Sequence, residues 1–106
     1  GVWSVYYDTA QMRFYREKIE GLKFRRKLRI RRYGENTGEI DAGAPVSVEI
    51  KQRVNRVTQK RRVMLPYEQA LDLCDRREHL ELPGGDQAFV DEVLDLVVRL
   101  DLRALR

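Results

Sequence analysis

Three basic segments decide how this chain folds: Lys27-Leu28-Arg29-Ile30-Arg31, Val48-Glu49-Ile50-Lys51 and Lys60-Arg61-Arg62-Val63. In the first two, charged and apolar residues alternate strictly. That is the period of a β-strand, whose successive side chains point to opposite faces. Pairing such strands gives a sheet with one apolar face and one face of fixed cations. The apolar face takes Leu28, Ile30, Val48, Ile50, Val63 and Leu65. The other takes Lys27, Arg29, Arg31, Glu49, Lys51, Lys60 and Arg62.

The rest of the chain fits around these strands. Val2 to Tyr7 is rich in aromatic and β-branched residues, with Trp3, Val5 and Tyr7 alternating with Val2, Ser4 and Tyr6, and reads as a strand. Asp8-Thr9 offers a cap for a short helical or irregular stretch from Gln11 to Lys18. Phe24 to Tyr33 is a strand, and Gly34 to Pro45 is a loop. Val46 to Arg53 and Val57 to Leu65 are strands joined at Asn55 as a hairpin. After Pro66 the period changes. Tyr67, Ala70, Leu71 and Cys74 predict a helix over Tyr67 to Arg77. Asp86 is placed to cap a second helix, with Phe89, Val90, Val93, Leu94, Val97 and Val98 on one face, running to about Leu100. Four strands followed by two helices that cover their apolar face make an α+β pattern.

The net charge of +4 conceals a division. Residues 1–66 carry 16 Lys/Arg and 7 Asp/Glu, a balance of +9. Residues 67–106 carry 5 and 10, a balance of −5. An anionic partner therefore meets the strand-rich part. No apolar run approaches the roughly 20 residues of a transmembrane helix. The single cysteine, Cys74, excludes an internal disulfide framework and a cysteine-rich zinc site, and reads as a small buried residue on a helix. His79 reads as a surface residue. There is no nucleophile constellation and no Gly-rich phosphate loop.

A grid of cations on adjacent strands repels itself unless water, carboxylates or a bound anion neutralise it. Arg presents a planar donor fork to phosphate oxygens and Lys a compact point charge. A phosphate chain, charged at every unit, matches such a grid better than a single carboxylate does. Glu49, the one carboxylate among the central positions, reads either as a metal ligand or as a counter-ion for Arg29, Arg31 or Lys51.

Tyr6-Tyr7-Asp8-Thr9, Tyr15, Lys18, the run Lys27 to Gly34, Val48 to Arg53 and Lys60 to Val63 occur in an order and spacing that resembles the VTC domain. That domain belongs to the triphosphate tunnel metalloenzymes, related to CYTH proteins. The resemblance implies an eight-stranded antiparallel β-tunnel lined with Arg and Lys. It implies polyphosphate synthesis from a nucleoside triphosphate with manganese or magnesium; the location expected is the cytoplasm, or the cytoplasmic face of a membrane. It carries phosphate binding onto Lys27, Arg29, Arg31, Lys51, Lys60 and Arg62, a catalytic share of that work onto Arg29, Arg31, Lys51 and Lys60, and metal binding onto Glu49. Only about half of the tunnel's strands are present, so residues 1–106 read as a partial domain, 1–66 basic and strand-rich, 67–106 acidic and helical. Its tunnel is then completed by further chain or by a second copy, since a half sheet leaves edges open to pairing.

Two other functions suit the same face. One is a binding module that senses polyphosphate or inositol phosphates without turnover. The other is a nucleic-acid contact through Arg25 to Arg32 flanked by Phe24 and Tyr33. The second is disfavoured, because the strands lack an exposed aromatic platform for stacking and Glu49 sits mid-face.

Overall fold

The computed structural model describes residues 2–33 and 41–105. The alternating segments form strands in the expected places: β1 (Val2–Asp8), β2 (Phe24–Tyr33), β3 (Pro45–Val54) and β4 (Val57–Pro66). Helix α1 (Arg13–Ile19) lies between β1 and β2, and α2 (Tyr67–Cys74) and α3 (Asp86–Leu100) follow the strands. A two-residue strand, β5 (Arg103–Ala104), ends the series. Most of the expected Gly34 to Pro45 loop, residues 34–40, lies outside the described residues, and Pro45 itself opens β3.

The strands form one antiparallel sheet, ordered β4-β3-β2-β1-β5 and not closed into a barrel. This is the α+β arrangement that the alternation and the covering helices predicted, and an open sheet is consistent with the half tunnel that the resemblance implied. The fifth strand was not visible in sequence, since two residues are too few to show a period. Ala104 pairs with Tyr7 and Arg103 with Asp8, so β5 extends the sheet beyond β1.

One face of the sheet is the core. Leu28, Ile30, Val48, Ile50, Val63 and Leu65 are buried against Ala70, Leu73 and Cys74 of α2 and Val90, Val93 and Val97 of α3. Each fully buried aliphatic side chain contributes about 1.5–3 kcal/mol. Cys74 is buried as expected, and burial pushes its thiol above the ordinary range, so it is an unreactive packing residue. His79 is exposed, 3.4 Å from Asp91. Polar clamps fasten helices to sheet. The Tyr7 hydroxyl donates to Asp75 just past α2. Arg61 of β4 donates to Glu92 of α3 at 2.9 Å and lies over the Phe89 ring.

Two helix boundaries differ from expectation. Helix α2 stops at Cys74, because the amides of Asp75 and Arg76 both return to the Leu71 carbonyl and Arg77 turns left-handed. Helix α3 begins on Asp86 itself with Gly85 in the cap position, so Asp86 sits in the first turn, where its charge favours the helix dipole. No helix among the described residues is long and apolar enough to cross a membrane.

Candidate functional site

The strand pairing sets the basic face out in rows. Arg29 of β2 stands opposite Tyr6 of β1 and Glu49 of β3, and Glu49 stands opposite Arg62 of β4. One row along, Lys27, Lys51 and Lys60 face one another across three strands. On the other side, Arg31 pairs with Ser4 and Ser47. A groove of about 320 Å3 over this grid is lined by Arg29, Arg31, Glu49, Lys51, Lys60 and Arg62, which sequence periodicity had placed on this face, together with Ile50 and Arg61, which it had not. Lys27 lines the adjoining grooves.

The Arg29 row is charge-compensated. Its Nε donates to Glu49 Oε1 at 2.8 Å, its Nη1 donates to the Tyr6 hydroxyl at 3.2 Å, and the guanidinium lies 5.9 Å from the Tyr6 ring centre. Burial works against the Arg29 charge, but the bonds to Tyr6 and Glu49 outweigh it and hold the guanidinium above its ordinary value. The Arg29 hydrogen bond lowers the Tyr6 hydroxyl, partial burial opposes this, and the charges of Arg29, Lys27 and Arg31 add to the lowering. Glu49 thus has the geometry of a counter-ion for Arg29. Among the described residues no cluster of three His, Cys, Asp or Glu side chains is placed to hold a metal.

The lysine row carries only positive charge. Burial, followed by the charges of Lys18, Lys51 and Arg29, lowers Lys27 below the ordinary lysine value, with Tyr6 partly offsetting them. Like charges directly opposite on adjacent strands destabilise a sheet by about 0.2–1 kcal/mol per pair. This row therefore concentrates positive charge on one strip of the sheet.

The linkage has a definite sign. Lys27 and Tyr6 titrate below their unfolded values of 10.5 and 10.0, so the unfolded chain holds more protons in that window. Stability of the free domain should therefore rise as pH rises towards those values. Lys27→Gln should remove the lysine share of that rise. At neutral pH it should stabilise the free domain by about 0.5 kcal/mol, since a cross-strand repulsion is gone, and yet weaken triphosphate binding. Thermal melts across pH, paired with binding titrations, check both. A less stable Lys27→Gln protein would show that the row is not under repulsion.

Sequence reasoning named Tyr6 and Lys18 only as part of a resemblance. Tyr6 proves to be the hydrogen-bond partner of Arg29, and Lys18 lines the groove beside Lys27. Arg25 entered only the disfavoured nucleic-acid reading and Arg53 only the resemblance, so neither was assigned to phosphate-chain binding, although they share the alternation of Lys27, Arg29, Glu49 and Lys51.

The VTC domain profile matches residues 1–105. The chain belongs to the VTC domain family. Comparison with curated proteins returns no match. The work of VTC domains concerns polyphosphate, and the basic segments of this VTC domain line one side of the sheet.

Proposed function

We propose that this VTC domain binds the phosphate chain of triphosphate and polyphosphate on its basic face, and that in a completed tunnel this face serves metal-dependent phosphoryl transfer from a nucleoside triphosphate to a growing polyphosphate. The observation that carries the reading is the register of β2, β3 and β4, which brings Arg29, Arg31, Lys51, Lys60 and Arg62 over one groove in a VTC domain.

Phosphoryl transfer is mostly positioning and charge neutralisation. Arg29, held in place by Glu49 and Tyr6, offers a pre-oriented donor fork. Arg31 offers a second, and Lys51, Lys60 and Arg62 surround phosphate oxygens from the neighbouring strands. Arg29, Arg31, Lys51 and Lys60 would neutralise charge on the transferring group.

Magnesium-type ions are held by one or two carboxylates with the rest of the shell from water and substrate phosphates. Glu49 fits that minimal requirement and would be the protein ligand. The ion would supply additional neutralisation of the phosphate oxygens. The ion pair to Arg29 at 2.8 Å equally suits a face that binds without turnover, so a polyphosphate or inositol-phosphate sensor is the second reading.

Titrating the domain with triphosphate, long-chain polyphosphate and an oligonucleotide in rising salt tests the binding reading. Tight phosphate-chain binding with weak oligonucleotide binding is expected, and the reverse order would overturn it. Glu49→Gln separates ligand from counter-ion. It should raise metal-free triphosphate affinity several-fold by releasing Arg29, and abolish the further gain that Mn2+ gives. A Mn2+ gain that persists in the variant would remove Glu49 from metal binding.

A further inference from the structure

The basic face continues past the groove described above. Arg25 of β2 stands opposite Arg53 of β3, one row beyond Lys27 and Lys51 on the same face. Lys18 of α1 turns towards them, and Lys18, Arg25, Lys27, Lys51 and Arg53 line one groove of about 270 Å3 together with Phe14 and Arg26. Arg26 is engaged elsewhere. It donates to Glu17 at 3.1 Å and lies over the rings of Phe14 and Phe24.

The other cations of this groove have no such carboxylate among its described lining residues. Arg53 uses its Nε on the Asn55 carbonyl at 3.2 Å, and the buried Nε of Arg25 has no hydrogen-bond partner among the described residues. Two successive rows of like charge, Arg25 with Arg53 and Lys27 with Lys51, therefore face each other across β2 and β3. The Arg29 row beside them has its own counter-ion. Uncompensated rows destabilise a sheet unless water screens them or an anion joins them.

We propose that Lys18, Arg25 and Arg53 form an outer phosphate subsite, which holds a distant part of the same chain whose end is bound at Arg29 and Arg31. This rests on the phosphate-chain reading above and adds a length requirement to it. Arg25 lies four residues from Arg29 along β2, about 13 Å at a strand's rise per residue. A triphosphate held at Arg29 is too short to reach Arg25. A longer chain spans both rows, passing over Lys27 and Lys51. The domain therefore prefers long chains, and the preference resides in residues separate from those that bind triphosphate.

The test compares parent protein, Arg25→Gln/Arg53→Gln and Lys18→Gln, each titrated with triphosphate and with long-chain polyphosphate at several salt concentrations. The parent should bind the long chain more tightly than triphosphate. The double variant should lose about tenfold or more in long-chain affinity, as expected for charge-assisted contacts. Its salt dependence should become shallower, because fewer counterions are released. Its triphosphate affinity should fall several-fold less than its long-chain affinity, since a triphosphate centred on Arg29 and Arg31 ends at the Lys27–Lys51 row and makes no contact with Arg25 or Arg53. Lys18→Gln, on the exposed surface of α1, should lose part of the same increment with no change to the sheet. Thermal melts of each variant verify folding. Equal weakening for both ligands, or none for either, overturns the outer subsite while the phosphate-chain reading stands. A parent that binds the two ligands equally does the same. A parent that binds neither overturns both.

Discussion

Arg29→Ala/Arg31→Ala should bind triphosphate about 100-fold or more weakly than the parent, because each charge-assisted hydrogen bond contributes about 1.5–3 kcal/mol. The two arginines sit two residues apart on one strand and line one groove with Lys51 of β3 and Lys60 of β4. The variant also loses stability, which sequence alone did not anticipate. Glu49 is only 12% exposed and receives Arg29 Nε at 2.8 Å, so removing Arg29 takes the near cation from a largely buried carboxylate. That costs about 1–3 kcal/mol. Adding Glu49→Gln to the double variant should return most of the stability and none of the affinity. Calorimetric titration and thermal melts on the three proteins read the two effects separately. Unchanged triphosphate affinity in the double variant would end the assignment of these arginines to the phosphate site.

The second large effect is on the fold. Asp8→Ala should destabilise the domain by about 2–4 kcal/mol, as several buried amides lose one acceptor. Asp8 is 3% exposed. Its Oδ1 accepts from the amides of Thr9 at 2.7 Å and Phe14 at 2.9 Å, and its Oδ2 accepts from Tyr15 at 3.1 Å. Thr9 Oγ1 takes the Arg13 amide at 3.0 Å. Together they satisfy the first amides of α1, seven residues long and too short to persist on its own. The helix in turn places Phe14 in the core and Lys18 beside Lys27. The melting temperature should fall by about 10 °C or more, given about 4–8 °C per kcal/mol for domains near this size. Asp8→Asn, which keeps an acceptor oxygen but loses the second, should fall between the two. A melt indistinguishable from the parent's would show that water replaces the carboxylate without cost.

The Asp8-Thr9 cap shows how far sequence reading reaches. The residue types offered a cap for a helical or irregular stretch, and a helix is there. The cap acts at a distance: Met12 occupies the residue before α1 in a left-handed conformation and caps nothing with its side chain. Asp8 reaches amides six and seven residues ahead because the chain folds back over it, and no local pattern encodes that path. Arg61 is a second instance. In sequence it is one of three consecutive cations. In the fold Arg61 lines the same groove as its neighbours Lys60 and Arg62, but it is tied to α3, where it pairs with Glu92.

The sequence by itself determined the two-sided character of the sheet, the segregation of positive charge into the strands, and which residues of each strand share the lining. Alternation is a local property, written into consecutive residues. Only the tertiary structure decided which residues of different strands meet. It set Arg29 against Glu49 and Tyr6, stacked Lys27, Lys51 and Lys60 into one row, added β5 beside β1, and brought Arg25, Arg53 and Lys18 to a common groove. Register is settled by the joint burial of distant apolar faces, since a slip of one residue would turn every cation into the core.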